Sequence, residues 1–371
     1  MSGVREVGAG VDWCGRNELH WLAAKGEEAL LEGVVITREQ LQVRDDDGDT
    51  PLHLAIHYRA TILLERMLEV CQGEDLMIPN VAGETALHCA MTMRSVDTIS
   101  NMLAMVDSAD LEKDFGCGSV TEYVISNLRR REAFSAMIPF ISDERLLEDH
   151  TNWNSLLQRI FSSLDPAFIL PVLGRLDIDF LARLRLSGES TLLRHCATSV
   201  KLIEELLDIF SREPELLLEQ FAPDESGVNA LYAALNARNF NGALVLIDAM
   251  PREILAAHYP ESGNCLHWLA LSVTVSVQPD WADCDPGLPP WNEAVTVAQR
   301  ILSALDEPEI IALNGAGQPP AHLAATFKLT WLLRLIMERL PLELRDIEDA
   351  KGTKVSDIAP LTWAPRAKGA Y

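Results

Sequence analysis

Apolar residues recur along this chain in short bursts at helical spacing, separated by polar turns rich in Gly and Asp. In Ile62-Leu-Leu-Glu-Arg-Met-Leu-Glu they fall at positions 63, 64, 67 and 68, which gathers them on one face of a helix of period near 3.6. The segment before it, Thr50-Pro-Leu-His-Leu-Ala, carries the marks of a helix start. A Thr hydroxyl caps free main-chain N–H groups, and a Pro in the first turn loses no hydrogen bond that the helix would have made. Leu52 and Ala55 then point inward. The pattern predicts pairs of short helices joined by turns, an all-α chain in which neither helix of a pair can bury both faces alone.

The same pattern repeats. Gly48-Asp-Thr-Pro-Leu-His-Leu-Ala is followed 35 residues later by Gly83-Glu-Thr-Ala-Leu-His-Cys-Ala, and preceded 33 residues earlier by Gly15-Arg-Asn-Glu-Leu-His-Trp-Leu-Ala. Weaker versions start at Gly118, Asn152, Gly188, Gly227, Ser262, Gly317 and Gly352, so the successive intervals are 33, 35, 35, 34, 36, 39, 35, 55 and 35 residues. A fixed period of this size means stacked units with a continuous core and nearest-neighbour interfaces. The leading Gly supplies positive φ at the turn entering each helix.

These residues resemble the ankyrin repeat, whose signature is Gly-x-Thr-Pro-Leu-His-x-Ala-Ala. The match is strongest at 48–55, good at 15–23, 83–90 and 262–270, and recognisable at 317–325. The units at Gly118 and Asn152 have lost the Thr-Pro and the His. The resemblance implies an ankyrin-type solenoid of about ten stacked helix-turn-helix repeats with short finger loops, and a chain that works by binding another protein. It divides the chain into N-terminal repeats over 1–117, divergent repeats over 118–226, C-terminal repeats over 227–360 and a tail over 361–371. It also implies that His20, His53, His88, His267 and His322 hydrogen-bond main chain of the turn region and do no chemistry.

Composition narrows the partner. Hydrophobic residues make up 48% of the 371 and aromatics 6%, which suits small aliphatic contacts between short helices. The formal net charge of −24 repels phosphate backbones and anionic lipid, which argues against nucleic acid and membrane as partners and favours a protein with a basic surface. No stretch approaches the ~18 uncharged apolar residues of a membrane span, and the N-terminus lacks a signal-peptide apolar run. Seven scattered cysteines, with Cys89, Cys196 and Cys265 inside apolar helical patterns, are expected as free thiols in a reducing, cytoplasmic compartment. Only seven of the 31 basic residues are Lys. Codon bias explains that, and so does avoidance of ubiquitin-acceptor lysines by a bacterial effector secreted into a host cytosol.

Nucleotide, nucleophile and zincin signatures are missing, and the Cys265-Leu-His267 and His195-Cys196 pairs are too close and isolated for zinc. No catalytic residue, metal ligand, cofactor or small-molecule substrate is therefore assigned. The alternative to a binding module is a host-modifying enzyme of transferase class with an active site grafted onto the solenoid. Asp45-Asp-Asp47 and Asp49 lack the spacing of a Ca²⁺ loop and read as a solvated acidic finger. An insertion near 271–292 carries Trp281 and Trp291 among acidic residues, a combination suited to protein recognition. The expected partner-binding residues are Asp46, Asp49, His57, Tyr58, Glu84 and Thr92 on finger tips and exposed helix faces, with Trp281 and Trp291 as a second contact.

Overall fold

The computed structural model describes residues 5–6, 10–26, 34–126, 130–147, 156–186, 190–224, 227–274 and 291–359. The chain divides into two units, Met1–Val172 and Leu173–Tyr371. Both are helical. Among the described residues the one sheet is a two-residue parallel pairing of Arg5–Glu6 with Val34–Val35. Among the described residues no helix is long and apolar enough to cross a membrane.

In the first unit, the helices that open each repeat pack on one another in sequence order: Glu18–Lys25 on Pro51–His57, Pro51–His57 on Ala86–Ala90, and Ala86–Ala90 on Val120–Ser126. The following helices form their own layer, with Val96–Ala104 against Arg131–Met137. The second unit repeats the scheme. Its opening helices Leu192–His195, Ala230–Asn236, Cys265–Thr274 and Pro320–Thr326 stack in order, as do Val200–Phe210, Phe240–Ala249, Trp291–Ala304 and Thr330–Arg339 behind them. The core is mostly aliphatic, with a few buried aromatics such as Phe134 and Phe210, and falls where the periodicity placed it. Leu52, Ala55, Leu64 and Met67 are buried to within 1% of full enclosure.

Several joints inside a pair are closed by a left-handed residue that is not Gly. Arg59, Arg238 and Lys328 have φ between 56° and 58°. Around Arg59 the Ala60 N–H reaches back to the Ala55 carbonyl at 2.8 Å and the Arg59 N–H to that of Ile56 at 3.1 Å, a pair of bonds that terminates the helix and turns the chain. The same two bonds recur around Arg238 and Lys328.

The helix pair is not the whole unit. A third, very short helix follows the second: Arg38–Leu41, Gly73–Leu76, Ser108–Leu111, Arg252–Leu255 and Glu307–Ile310. Four residues carry too little periodicity to be seen in a sequence. They hold because the last residue of each (Leu41, Leu76, Leu111, Leu255, Ile310) is buried, and because polar side chains seal their N-termini, as where Asp75 accepts the Gln72 N–H at 2.8 Å.

Candidate partner-binding surface

The turns that carry the finger tips are built from one residue. Asp45 Oδ1 accepts the N–H groups of Asp47 at 3.1 Å and Asp49 at 2.9 Å. Its carbonyl takes the Gly48 N–H at 2.9 Å, and Gly48 sits at φ 77°. Asn80, Asn314 and Asp349 hold their turns in the same way, each three residues before a glycine of positive φ. Main-chain N–H groups pull the carboxyls of Asp12, Asp114 and Asp349 below the ordinary range, led by those of Arg16, Gly116 and Thr353 respectively, because each bond favours the charged acceptor. At the unit starting at Ser262 the left-handed residue is Gly263, at φ 78°, one position later than the period places it.

Behind the turns stand the histidines. His53 is 1% exposed; its Nδ1 accepts the Thr50 N–H at 3.1 Å, which leaves the proton on Nε2 to donate to the Glu84 carbonyl at 3.0 Å. His20 joins Asn17 to the Asp49 carbonyl, and His267 joins Asn264 to that of Gln318. Each ring thus ties its own helix start to the next turn, 29 to 51 residues on. Burial pushes the His20, His53 and His88 rings below the usual imidazole value and His267 down to about 4. The His20, His53 and His267 rings are thereby engaged at both nitrogens. Two departures have local causes. His88 meets a divergent fourth turn, and its buried Nε2 has no hydrogen-bond partner. His322 follows Pro319, which has neither an N–H nor a hydroxyl to offer, and its buried Nδ1 is orphaned.

The acidic run is not uniformly solvated, contrary to the reading of its sequence. Asp45 is 7% exposed and accepts Arg16 Nε at 3.0 Å. Asp46 and Asp47 are exposed. Asp49 is half-buried and its Oδ1 accepts Asn80 Nδ2 at 2.9 Å. His57 and Tyr58 are exposed at the end of their helix, ring centroids 5.0 Å apart and nearly perpendicular. Glu84 is half-buried at the start of the next unit, its N–H held by Asn80. Thr92 is exposed, its hydroxyl donating to the Cys89 carbonyl at 2.7 Å. Asp46, Asp49 and Glu84 thus lie on successive turns bonded to one another, with His57 and Tyr58 beside them. Trp281 lies outside the described residues, and Trp291 enters only as the first residue of its helix.

Asp12, Asp45, Asn80, Asn314 and Asp349 carry the turns and were not singled out by the periodic pattern, which was read from the glycine onward. Their signal is in the sequence: an Asp or Asn three residues before Gly15, Gly48, Gly83, Gly317 and Gly352. Trp13, Trp21 and Arg16 were also passed over. Trp21 donates its indole N–H to Asp12 Oδ2 at 3.0 Å, and Arg16 lies over its ring. No group of three His, Cys, Asp or Glu side chains among the described residues is arranged to hold a metal ion. Burial pushes the Cys71, Cys89, Cys196 and Cys265 thiols up to about 12, so they act as small packing groups and are poor nucleophiles.

Stacked helix pairs, a glycine turn pinned by an Asx side chain and a histidine clasp to the next turn define a repeat solenoid. The family model of ankyrin repeats, in three copies, matches residues 19–113, the stretch where these features are most regular. Residues 19–113 are thus ankyrin repeats. Among solved structures, the chain is similar to the ankyrin repeat domain of Bcl-3, a unique member of the IkappaB protein family, at 16% identity over 62% of this chain and 98% of that one, with a TM-score of 0.34. No curated protein matches it.

Proposed function

We propose that this chain is a protein-binding adaptor, scaffold or inhibitor that grips a partner with a basic face through the turns and helix ends of its first repeats, and that it is not an enzyme. The observation that carries the reading is the division of labour in the first unit. The His20 and His53 rings and the Asp45 carboxylate are consumed in buried bonds, whereas Asp46, Asp47, His57, Tyr58 and Thr92 stand exposed on a platform those bonds hold rigid. Rigid display lowers the ordering cost of association. The net charge of −24 supports a basic partner and an on-rate that falls as salt rises. Trp281 and Trp291 form the second contact in this reading. Secretion into a host cytosol rests on the scarcity of lysine and the degeneracy of the repeats, and the binding role does not require it.

The test is affinity purification from cells with mass spectrometry, then titration of the recovered partner against Asp46→Ser/Glu84→Ser and the wild type. The double variant is expected to bind at least about tenfold more weakly, as loss of contacts at an interface centre does, with an unchanged thermal midpoint. Asp49→Ser is kept separate because it also removes the bond to Asn80. Equal affinity for a folded variant would move the site off these turns.

A further inference from the structure

The first three turns form a row whose composition specifies the segment that lies across it. The Asp46 N–H donates to the Cys14 carbonyl at 3.0 Å, and the Val81 N–H to the Asp47 carbonyl at 3.0 Å, so main-chain bonds place the three tips side by side. The outer two tips are apolar. Trp13 is 91% exposed and Val81 77%, the two most exposed large apolar side chains among the described residues. Between them stand Asp46 and Asp47, both exposed and without an ion pair among the described residues. An indole left almost wholly in water forgoes the burial that dominates aromatic energetics, and the exposed Trp13 and Val81 on the outer tips, flanking the two exposed carboxylates of the middle one, form a pattern of apolar, acidic, apolar.

We propose that this row binds an extended protein segment in which one Arg or Lys is flanked on each side, three residues away, by an apolar side chain. The proposal rests on the binding role above and deepens it. Packed helices lie about 8–10 Å apart, and the opening helices that carry these tips are packed in order. A polyproline-II segment rises about 3.1 Å per residue with three residues per turn, so side chains i, i+3 and i+6 project from one edge about 9 Å apart. The outer two meet Trp13 and Val81, and the central cation meets Asp46 and Asp47. Such a segment is pre-extended and makes few internal bonds, which limits what ordering costs on binding.

The experiment selects a displayed library of random nine-residue peptides on the immobilised full chain and titrates the selected peptides by fluorescence anisotropy. The expected peptides carry Arg or Lys with apolar residues three positions to either side. Trp13→Ser and Asp46→Asn/Asp47→Asn should each weaken binding at least about tenfold, the scale of a central interface contact. Asp208→Asn/Glu215→Gln, equally acidic but in the second unit, should leave it unchanged. Peptides without a central cation, peptides bound equally by the Trp13→Ser chain, or self-association of the chain through Trp13 in sedimentation would each overturn the proposal. Peptides that depend on Tyr58 and Thr92 but not on the tips would overturn it while leaving the broader binding role standing. Peptides that depend on no residue of the first unit would remove both.

Discussion

Acidification should loosen the clasp at His267. The ring is fully buried; its Nδ1 accepts the Asn264 N–H at 3.1 Å and its Nε2–H donates to the Gln318 carbonyl at 2.9 Å. A second proton on Nδ1 would face that N–H, in a site without water to solvate the charge. Burial accordingly pushes the ring down to about 4 from an ordinary 6.5, the bond to Gln318 acting the other way and the His258 charge adding to the lowering. Folding favours the neutral ring, so the unfolded chain binds more protons. The stabilisation is complete above pH 6.5 and is lost as pH falls from there toward 4. At about 1.36 kcal/mol per pKa unit the full window amounts to about 3 kcal/mol, and roughly 2 kcal/mol of it has gone by pH 5. Urea denaturation followed by ellipticity at pH 7.5 and pH 5.0 measures the loss, and His267→Gln removes this ring from it. The wild type should lose about 2 kcal/mol more than the variant between the two values, by the same linkage. The double difference cancels the carboxylates and the other histidines. Histidine-selective NMR should place the His267 midpoint near 4. A midpoint near 6.5, or the same pH dependence in both chains, would refute the reasoning.

Three other outcomes follow from single contacts. Asp75 is fully buried, held by Arg38 Nε at 2.8 Å, Gln42 Nε2 at 2.6 Å and the Gln72 N–H; burial raises its carboxyl, but these bonds together outweigh burial and lower it. Arg38→Met should therefore destabilise the fold by leaving a buried carboxylate without its counter-ion, read as a fall in the urea midpoint that Asp75→Leu in the same chain largely restores. Gly83 has φ 83° and a Cβ there would come within 2.6 Å of the Phe115 carbonyl oxygen, whereas Gly26, at φ 64°, has nothing within 4 Å. Thermal denaturation should show Gly26→Ala losing about 1 kcal/mol, the cost of the left-handed backbone, and Gly83→Ala distinctly more. Pro319→Thr should raise stability by about 1 kcal/mol, since a Thr N–H and hydroxyl meet the orphaned His322 Nδ1 as Thr50 meets His53; a lower melting temperature would show that the rigidity of Pro319 matters more.

What could be read along the chain was what each turn requires of its own few residues. Gly48 and Gly83 need positive φ, Thr50 and Thr85 cap, Pro51 tolerates the first helical turn, and Leu52 and Leu87 point inward. Those demands are local, so they recur with the period and announced the helices, the buried histidines and the ankyrin repeats of residues 19–113 in advance. The exposed Asp46, His57, Tyr58 and Thr92 were legible for the same reason, since a turn tip or helix end that owes nothing to packing shows as a break in the pattern. The rest depends on partners 29 to 37 residues away. Asp45 and Asp46 are identical in the sequence, yet Asp45 is buried because its turn folds it toward Arg16, while Asp46 faces solvent from the next position. The short helix Gly73–Leu76 is held partly from outside its own repeat, where Arg38 of the preceding repeat pairs with the buried Asp75. Trp13 is a hydrophobic residue that composition would assign to the core, and it is left on a finger tip beside Asp46 because the Asx turn at Asp12 points it outward. Local conformational preference repeats with the sequence; the fate of a charge or an indole is set by which neighbouring turn the stack brings alongside it.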